Sequence, residues 1–280
     1  MVDFPRTKIE NLSVSRMLIG TNWFLGYSHT SAAKDKFIQT ELTEQKIADI
    51  IEVFLRAGVD GIVGFAHAEK LMNAVKRAED RVGRKVIIIS TPHFDLGGTP
   101  EAEAKNAKLL DEEAALGVSV CMPHQCTTDT LLDKVERKFR RMDKYMKMIR
   151  ERGMIPGLST HAPESPGYVR ESGLDAATVI QIYNAIGFLM QAEVDWACRI
   201  IQEATMPIIT IKPMASGRLT PLAGLAFVWA TLLDRDMVTV GTMSPDEARE
   251  VIEISLSLLE RRKSDVTLQR TRSKKSIDGK

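Results

Sequence analysis

The sequence predicts a single (β/α)8 barrel, an α/β fold in which eight parallel strands alternate with helices. Eight short apolar segments alternate along the 280 residues with segments of helical periodicity, and most connections are short. Right-handed crossovers and this number of units favour a closed barrel over an open sheet. No segment has the composition of an interdomain linker. We therefore assign residues 1–266 to one barrel and the basic residues 267–280 to a flexible tail.

The first half of the chain contains four of these units. SRMLIGT predicts strand one over residues 15–21, and TEQKIADIIEVFLRAG predicts a helix over 43–58. DGIVGFA and KVIIIST predict strands two and three, and the continuous apolar run of KVIIIST is typical of a strand buried on both faces. After VSVCMP, strand four, TDTLLDKVERKFRRMDKYMKMIRERG predicts one long amphipathic helix that ends at Gly153. Residues 22–42 are the longest stretch without predicted structure, and such loops are often lids or binding loops.

The second half repeats the pattern. MIPGLST, ATVIQIYN, PIITIKPMA and MVTVGTM predict strands five to eight, and each is followed by a segment that predicts a helix. The closing helix begins with Ser244 at the N-cap, Pro245 at the first helical position and Glu247 at the third. This arrangement predicts a capping box.

The composition is that of an ordinary globular protein and excludes several classes of function. A formal net charge of +1 gives no electrostatic case for binding nucleic acid or an anionic membrane. We find neither a signal peptide nor an apolar run of about twenty residues. The three cysteines, an odd number without a CxxC pair, predict neither disulfides nor a Cys-rich zinc site. We expect a cytoplasmic protein with a small-molecule substrate, and we leave a homo-oligomer open.

The histidines are the most informative side chains. The five of them follow the first five predicted strands, one after each: His29, His67, His93, His124 and His161. In a parallel barrel these positions converge on the C-terminal mouth, where such barrels carry out chemistry. His93, His124 and His161 follow neighbouring strands, so they are predicted to hold a divalent transition metal, Zn²⁺ or Mn²⁺. The alternative is that each imidazole only caps or hydrogen-bonds at the end of a strand.

The acidic residues nearby suggest a reaction type. Glu69 and Asp95 follow strands two and three and are candidate proton carriers beside His67 and His124. A bound metal would polarise a carbonyl or activate water. The leading hypothesis is therefore a lyase, isomerase or hydrolase that acts on a small oxygenated metabolite, with these four residues as its catalytic groups.

A second group of residues follows strands seven and eight. KPMASGRL places a glycine-containing turn with Ser216, Gly217 and Arg218 after the strand, and Ser244 opens the last helix three residues after Gly241. Loops after these two strands often bind phosphate in barrels through backbone N–H groups and a helix N-terminus. Arg218 could add a bidentate contact, so this region is a candidate site for a phosphate or a nucleotide.

Several segments together resemble the aldo-keto reductases. NLSVSRMLIGTNWFLG is similar to the opening strand of that family, and IIQEATMPIITIKPMASGRL and MVTVGTMSPDEAREVIE are similar to its cofactor-binding third. The resemblance covers nearly the whole chain and is most specific over residues 177–255. It implies a barrel that binds NADP, with Gln181 and Asn184 of VIQIYN in the nicotinamide region. The remaining implied cofactor-binding residues are Lys212, Ser216, Gly217, Arg218, Ser244 and Glu247.

The chain departs from this family at the catalytic positions. Val63 stands where the family has Asp, no Tyr precedes Glu69, and Pro92 stands where the family has Lys. Of the catalytic set, His124 alone keeps its place. The first alternative is therefore an NADPH-dependent oxidoreductase with His124 as the acid, and the second is a catalytically inactive barrel that binds a ligand. Lys212 could be a Schiff-base or an electrostatic lysine, although similar lysines in the family favour a structural or cofactor-facing role.

Overall fold

A computed structural model of the protein describes residues 3–266 as a closed parallel barrel surrounded by helices. The predicted tail, residues 267–280, lies outside the described residues. Neighbouring barrel strands are all parallel, which confirms the predicted (β/α)8 class. The strands, in chain order, are Met17–Gly20, Gly61–Gly64, Ile87–Ser90, Val118–Cys121, the divided strand Ile155–Pro156 and Leu158–Ser159, Val179–Ile182, Ile208–Ile211 and Met237–Val240.

Strand five closes the barrel by changing partners at Gly157. Its first half pairs with strand four and its second half with strand six. The N–H of Gly157 donates to the carbonyl of Cys121, and the next N–H, of Leu158, donates to Thr178. A Cβ on Gly157 would lie 2.8 Å from the Thr178 carbonyl oxygen, so this crossing requires a residue without a side chain.

The helices cover the outer face of the barrel, mostly where the apolar periodicity predicted them. They are α1 Ala32–Glu41, α2 Glu44–Arg56, α3 Glu69–Val82, α4 Pro100–Ala115, α5 Gln125–Leu131, α6 Met142–Arg150, α7 Ser165–Ser172, α8 Val194–Glu203, α9 Pro221–Thr231 and α10 Pro245–Leu259. Side-chain oxygens of Thr43, Thr99 and Ser244 accept N–H groups at the starts of α2, α4 and α10. Within residues 3–266, no helix combines the length and the apolar character needed to cross a membrane.

An N-terminal hairpin, which the sequence did not predict, covers the bottom of the barrel. Arg6–Ile9 pairs antiparallel with Leu12–Ser15, and Ile9 and Val14 join the apolar interior of the barrel. The carboxylate of Asp60, just before strand two, receives the Arg6 guanidinium at 2.7 Å and the backbone N–H of Ser15 at 3.2 Å. The hairpin is therefore fixed across the N-terminal ends of the strands.

Two of the expected local structures are wrong. The stretch 22–42 contains α1, whose N-cap is Ser31, and the Ser31 hydroxyl accepts the N–H of Lys34. The helix is largely polar, with Ile38 as its buried residue, so apolar periodicity did not reveal it.

The long helix expected up to Gly153 is also divided. α5 ends at Leu131, a short hairpin pairs Leu132–Asp133 with Lys138–Phe139, and α6 follows. The Asp133 carboxylate accepts two backbone N–H groups of the turn, which competes with helix formation. Arg137 and Arg141 adopt left-handed backbone conformations, with φ of 53° and 58°, that no continuous α-helix allows.

Candidate active site

The C-terminal ends of the strands surround one open cavity of about 850 Å³. Val63, Ile180 and Ile211 give it apolar surface from strands two, six and seven. Four of the five histidines line it, together with two cationic side chains: His29, His93, His124, His161, Lys212 and Arg218. The cavity therefore combines apolar surface with neutral and charged nitrogen groups, as small-molecule sites commonly do.

Two of these imidazoles are stacked against each other. The ring centroids of His93 and His124 are 3.9 Å apart, with an angle of 32° between the ring planes. The ring of Phe65 lies 5.6 Å from each of them. Two positively charged rings would repel at this separation, so the stack favours a neutral form of at least one ring.

His124 is the N-cap of α5, and this position determines which ring nitrogen carries the proton. Its Nδ1 accepts the backbone N–H of Cys126 at 3.3 Å, so the neutral ring is protonated on Nε2. Burial lowers the pKa of His124 to about 4, and the charges of His93, His161 and Lys212 act in the same direction. At neutral pH His124 is uncharged, and its Nε2–H remains available as a donor.

His161 is also neutral at physiological pH. Burial lowers its pKa to about 4, assisted by the charges of Lys212 and His29. The carboxylate of Asp129, on α5, accepts the backbone N–H of His161 at 3.2 Å and the Thr160 hydroxyl at 2.5 Å. Asp129 therefore fixes the loop that carries His161. The sequence did not single out this role, because the two residues belong to different strand–helix units.

Lys212 follows strand seven and lies at the imidazole end of the cavity, since its charge affects His29, His124 and His161. Burial lowers the pKa of its ammonium group to about 8. Among residues 3–266, no carboxylate oxygen lies within 4.0 Å of its Nζ. Lys212 also has a left-handed backbone, with φ of 63°, which is uncommon for a residue with a side chain.

Arg218 lies beyond a turn whose backbone is also unusual. Ala215, Ser216 and Gly217 have φ of 49°, 54° and 84°. The Arg218 guanidinium packs 4.0 Å from the ring centroid of Phe188 and donates to the carbonyl of Ala215 at 3.2 Å. Like Lys212, it has no carboxylate partner in the part of the chain that the structure describes.

The start of α10 forms the wall beside strand eight, and one of the two bonds of the predicted capping box is present: the Ser244 hydroxyl accepts the N–H of Glu247 at 3.1 Å. The Glu247 carboxylate instead accepts the N–H of Met243, one residue before the N-cap, at 2.6 Å. Glu247 and Glu250 both line the cavity. Two carboxylates therefore balance part of the positive charge that Arg218 and the helix N-terminus place here.

Two of the predicted catalytic residues, His67 and Glu69, lie away from the cavity. The Nε2 of His67 is 3.0 Å from Oε1 of Glu113 on α4, and Glu113 is fully buried. Burial raises the pKa of Glu113, and the neighbouring His67 opposes this increase. Glu69 is exposed at the first position of α3. Neither His67 nor Glu69 is among the residues that line the 850 Å³ cavity.

Three further residues that were predicted to belong to the site form hydrogen bonds within the protein. Asp95 lines a smaller, adjoining cavity of about 440 Å³ and accepts the backbone N–H of Gly97 at 3.0 Å. Gln181 is buried and donates to the Ala162 carbonyl at 3.2 Å. Asn184 is buried and bonds through both side-chain atoms to the backbone of Phe188. Neither amide side chain lines the main cavity.

The arrangement of possible metal ligands differs from the predicted trio. Among residues 3–266, the ligand atoms that lie within 4.8 Å of one another belong to His93, His124 and Cys126. His161 is not part of that group. Cys126 belongs to no CxxC pair, so cysteine spacing gave no reason to single it out, although it stands two residues after His124.

Comparisons with known proteins identify the fold. No family model matches the chain, and no curated protein matches it. Among solved structures, a Pseudomonas aeruginosa protein assigned as an aldo-keto reductase matches with a TM-score of 0.67 and 15% identity. The match covers 92% of this chain and 97% of that one. An aldo/keto reductase from Brucella melitensis has a TM-score of 0.59 and 13% identity, covering 96% and 95%. Aldose reductase from Giardia lamblia has a TM-score of 0.55 and 14% identity, covering 95% and 90%.

These structures match over nearly their full length, although few residues are identical. A match at this level of identity establishes the fold and leaves the reaction to be argued from the site itself. The resemblance found in the sequence is thereby confirmed for the architecture of the chain. The chain has the fold of the aldo-keto reductases, with a cavity at its C-terminal mouth lined by four histidines.

Proposed function

We propose that this protein is an NADP(H)-dependent oxidoreductase that acts on a small carbonyl compound, with His124 as the hydrogen-bond donor to the carbonyl oxygen. The observation that carries the proposal is the tautomer of His124. Its Nδ1 is occupied by the N–H of Cys126, so its Nε2–H is the group it offers to the cavity. A neutral imidazole can polarise a carbonyl in this way when its pKa is depressed.

The other end of the cavity suits the phosphates of a dinucleotide. Within residues 3–266 Arg218 has no carboxylate partner, and residues at the start of α10 line the same wall, where the N-terminus of a helix favours an anion. Ser216, Gly217 and Arg218 would hold the anionic part, with Ser244 at the helix start. The reduced dinucleotide would supply the hydride. Glu250 and Glu247 oppose this attraction in part, so removal of the Arg218 charge should weaken binding.

The residues of this chain would then divide the remaining tasks. His124 would donate Nε2–H to the carbonyl oxygen and stabilise the charge that develops there. His161 and His29, held neutral by burial, would keep that part of the cavity free of a second cation. The apolar surface of Val63, Ile180 and Ile211 would exclude water from the reacting carbon.

Fluorescence titration tests cofactor binding, because Trp23 lines the cavity. NADPH should quench Trp23, and a Trp196→Phe background removes the signal of an indole that is 60% exposed. Arg218→Met should weaken binding about 10-fold or more, since a charge-assisted hydrogen bond contributes roughly 1.5–3 kcal/mol. Arg199→Met, on the exposed face of α8, is the matched control. Absence of binding at millimolar NADPH would contradict the proposal.

Turnover tests the role of His124. With NADPH and a panel of small aldehydes and ketones, His124→Leu, which has no donor, should lower kcat about 10²-fold to 10³-fold, as loss of one donor to a developing oxyanion does. Dinucleotide affinity should stay unchanged in this variant. An unchanged kcat in His124→Leu would remove His124 from the reaction. Intact ligand affinity without turnover on any carbonyl compound would favour the inactive, ligand-binding barrel.

A second candidate is a metal-dependent lyase, isomerase or hydrolase, favoured by the proximity of His93, His124 and Cys126. This candidate conflicts with the cap of α5. A metal bound at Nε2 of His124 would require the proton on Nδ1, which then could no longer accept the N–H of Cys126. Titration with Co²⁺ decides between the two. A thiolate-to-cobalt absorption band that is lost in Cys126→Ser and kept in Cys198→Ser would favour the metal-dependent enzyme. Absence of the band would exclude that candidate.

A further inference from the structure

We propose that Lys212 is a nucleophile that forms an imine with a small aldehyde or ketone carrying an anionic group. The nitrogen of its side chain would bond to the carbonyl carbon in the same cavity. Imine formation needs no dinucleotide, so it can be tested independently of the oxidoreductase proposal.

The first observation is the isolation of the amine. Lys212 lines the cavity beside three imidazoles, and within residues 3–266 its side chain has neither an ion pair nor a hydrogen-bond partner. A lysine with a structural role is usually held by a carboxylate or by carbonyl groups, because an unpaired buried charge is costly. Here its charge acts on the rings of His29, His124 and His161, whose pKa values it lowers. This is the environment that makes a lysine reactive toward carbonyl compounds.

The second observation is the backbone. Lys212 has a left-handed conformation, and the turn after it adds Ala215 and Ser216 with positive φ. Non-glycine residues held in this conformation are strained, and such strain concentrates at ligand-binding and catalytic positions. The strained backbone at the end of strand seven therefore indicates that the direction of the Lys212 side chain is fixed there.

The protonation state agrees with this role. Burial lowers the pKa of Lys212 to about 8, so at pH 7 roughly a tenth of it is the neutral amine. An exposed lysine with a pKa near 10.4 has about 200-fold less neutral amine at the same pH. The difference gives Lys212 a kinetic advantage over surface lysines without any change in intrinsic nucleophilicity.

The reaction balances without any oxidant or reductant. The neutral amine of Lys212 attacks the carbonyl carbon, and a C–N bond forms while the C–O π electrons move to oxygen. Proton transfer from nitrogen to oxygen gives a carbinolamine. Loss of the hydroxyl with a second proton releases one water and leaves a C=N bond. His161 is the imidazole suited to move these protons: it is neutral, and Lys212 is the charged group that affects it most.

The remaining surface defines the substrate class. Like Lys212, Arg218 lines the cavity and has no carboxylate partner within residues 3–266, and apolar side chains of strands two, six and seven line the cavity as well. The substrate is therefore expected to be a short carbon chain that has a carbonyl group at one end and a phosphate or carboxylate at the other. Lys212 would attack the carbonyl group, and Arg218 would bind the anionic group. Glyceraldehyde 3-phosphate is a suitable probe, and glyceraldehyde is its uncharged counterpart.

Reductive trapping tests the proposal. The protein is incubated at pH 7 with each probe and cyanoborohydride, without dinucleotide, and the modified peptides are quantified by mass spectrometry. Lys212 should be modified at least 10-fold faster than Lys105, whose side chain is exposed and paired with Asp95. Arg218→Met should slow the modification of Lys212 by the phosphorylated probe and leave that by glyceraldehyde unchanged.

The pH dependence of trapping provides a second measurement that requires no substitution. The rate at Lys212 should be half-maximal near pH 8. Modification of Lys212 no faster than of Lys105, or an identical total adduct in the folded variant Lys212→Met, would overturn the proposal. Loss of NADPH binding alone would leave it standing.

Discussion

The neutrality of the buried imidazoles predicts a loss of stability in acid that can be assigned to two residues. The pKa values of His124 and His161 are lowered from 6.5 to about 4 in the folded protein. Below pH 6.5 the unfolded chain binds protons at these rings and the folded protein does not, so protonation favours unfolding. The stability that the two neutral rings confer is complete above pH 6.5 and is lost progressively as the pH falls toward 4.

The magnitude follows from these values. Between pH 7 and pH 5 each ring should remove about 2 kcal/mol from the free energy of unfolding, and the pair about 4 kcal/mol. Urea unfolding of the native protein and of the double variant His124→Gln, His161→Gln at both pH values isolates this contribution, because other titrating groups are common to both proteins. The variant should lose about 4 kcal/mol less than the native protein.

Nuclear magnetic resonance provides the direct measurement, since the chain has five histidines. At pH 6 the rings of His124 and His161 should be about 1% protonated, against about 76% for an unperturbed histidine. If both rings titrate between pH 6 and 7, or if the double variant loses as much stability as the native protein, the inferred environment of the cavity is wrong.

Three further predictions concern the scaffold. Gly157→Ala should destabilise the protein by about 1–3 kcal/mol in urea unfolding, because its Cβ would lie 2.8 Å from a backbone oxygen, whereas Gly167→Ala, with open space around it in α7, should be neutral or stabilising. His67→Ala removes the group that opposes the raised pKa of Glu113, so the pKa should rise further. In urea unfolding, stability should then fall more than in the native protein as the pH rises above the ordinary range of a glutamate, and Glu113→Gln should abolish this dependence. Ser244→Ala should cost about 1 kcal/mol through loss of the α10 cap, measured by thermal unfolding, and an unchanged melting temperature would show that the cap contributes nothing.

The barrel could be predicted from the sequence because its signals are local. Continuous apolar runs such as KVIIIST and glycine-terminated helices each depend on a few neighbouring residues. The errors arose where local polarity competes with periodicity. α1 has one buried residue, and Asp133 captures backbone N–H groups that a continuous helix would use.

The site was harder to predict than the barrel. The strand that each histidine follows can be deduced from the sequence, and four of them line one cavity. The direction of each ring depends on partners distant in the sequence: His67 lies against Glu113, which belongs to another strand–helix unit. Hydrophobic patterns carry no information about such pairs, nor about the tautomer that the cap of α5 imposes on His124.

The N-terminal hairpin has a kinetic consequence for any reaction in this barrel. Because Ile9 and Val14 pack into the lower interior, residues 3–266 leave the cavity its entrance at the C-terminal mouth. Two ligands that share the cavity must pass through the same opening. The one nearer the floor can leave only after the outer one has moved. We therefore expect compulsory-order kinetics, with product inhibition that reports which ligand binds first.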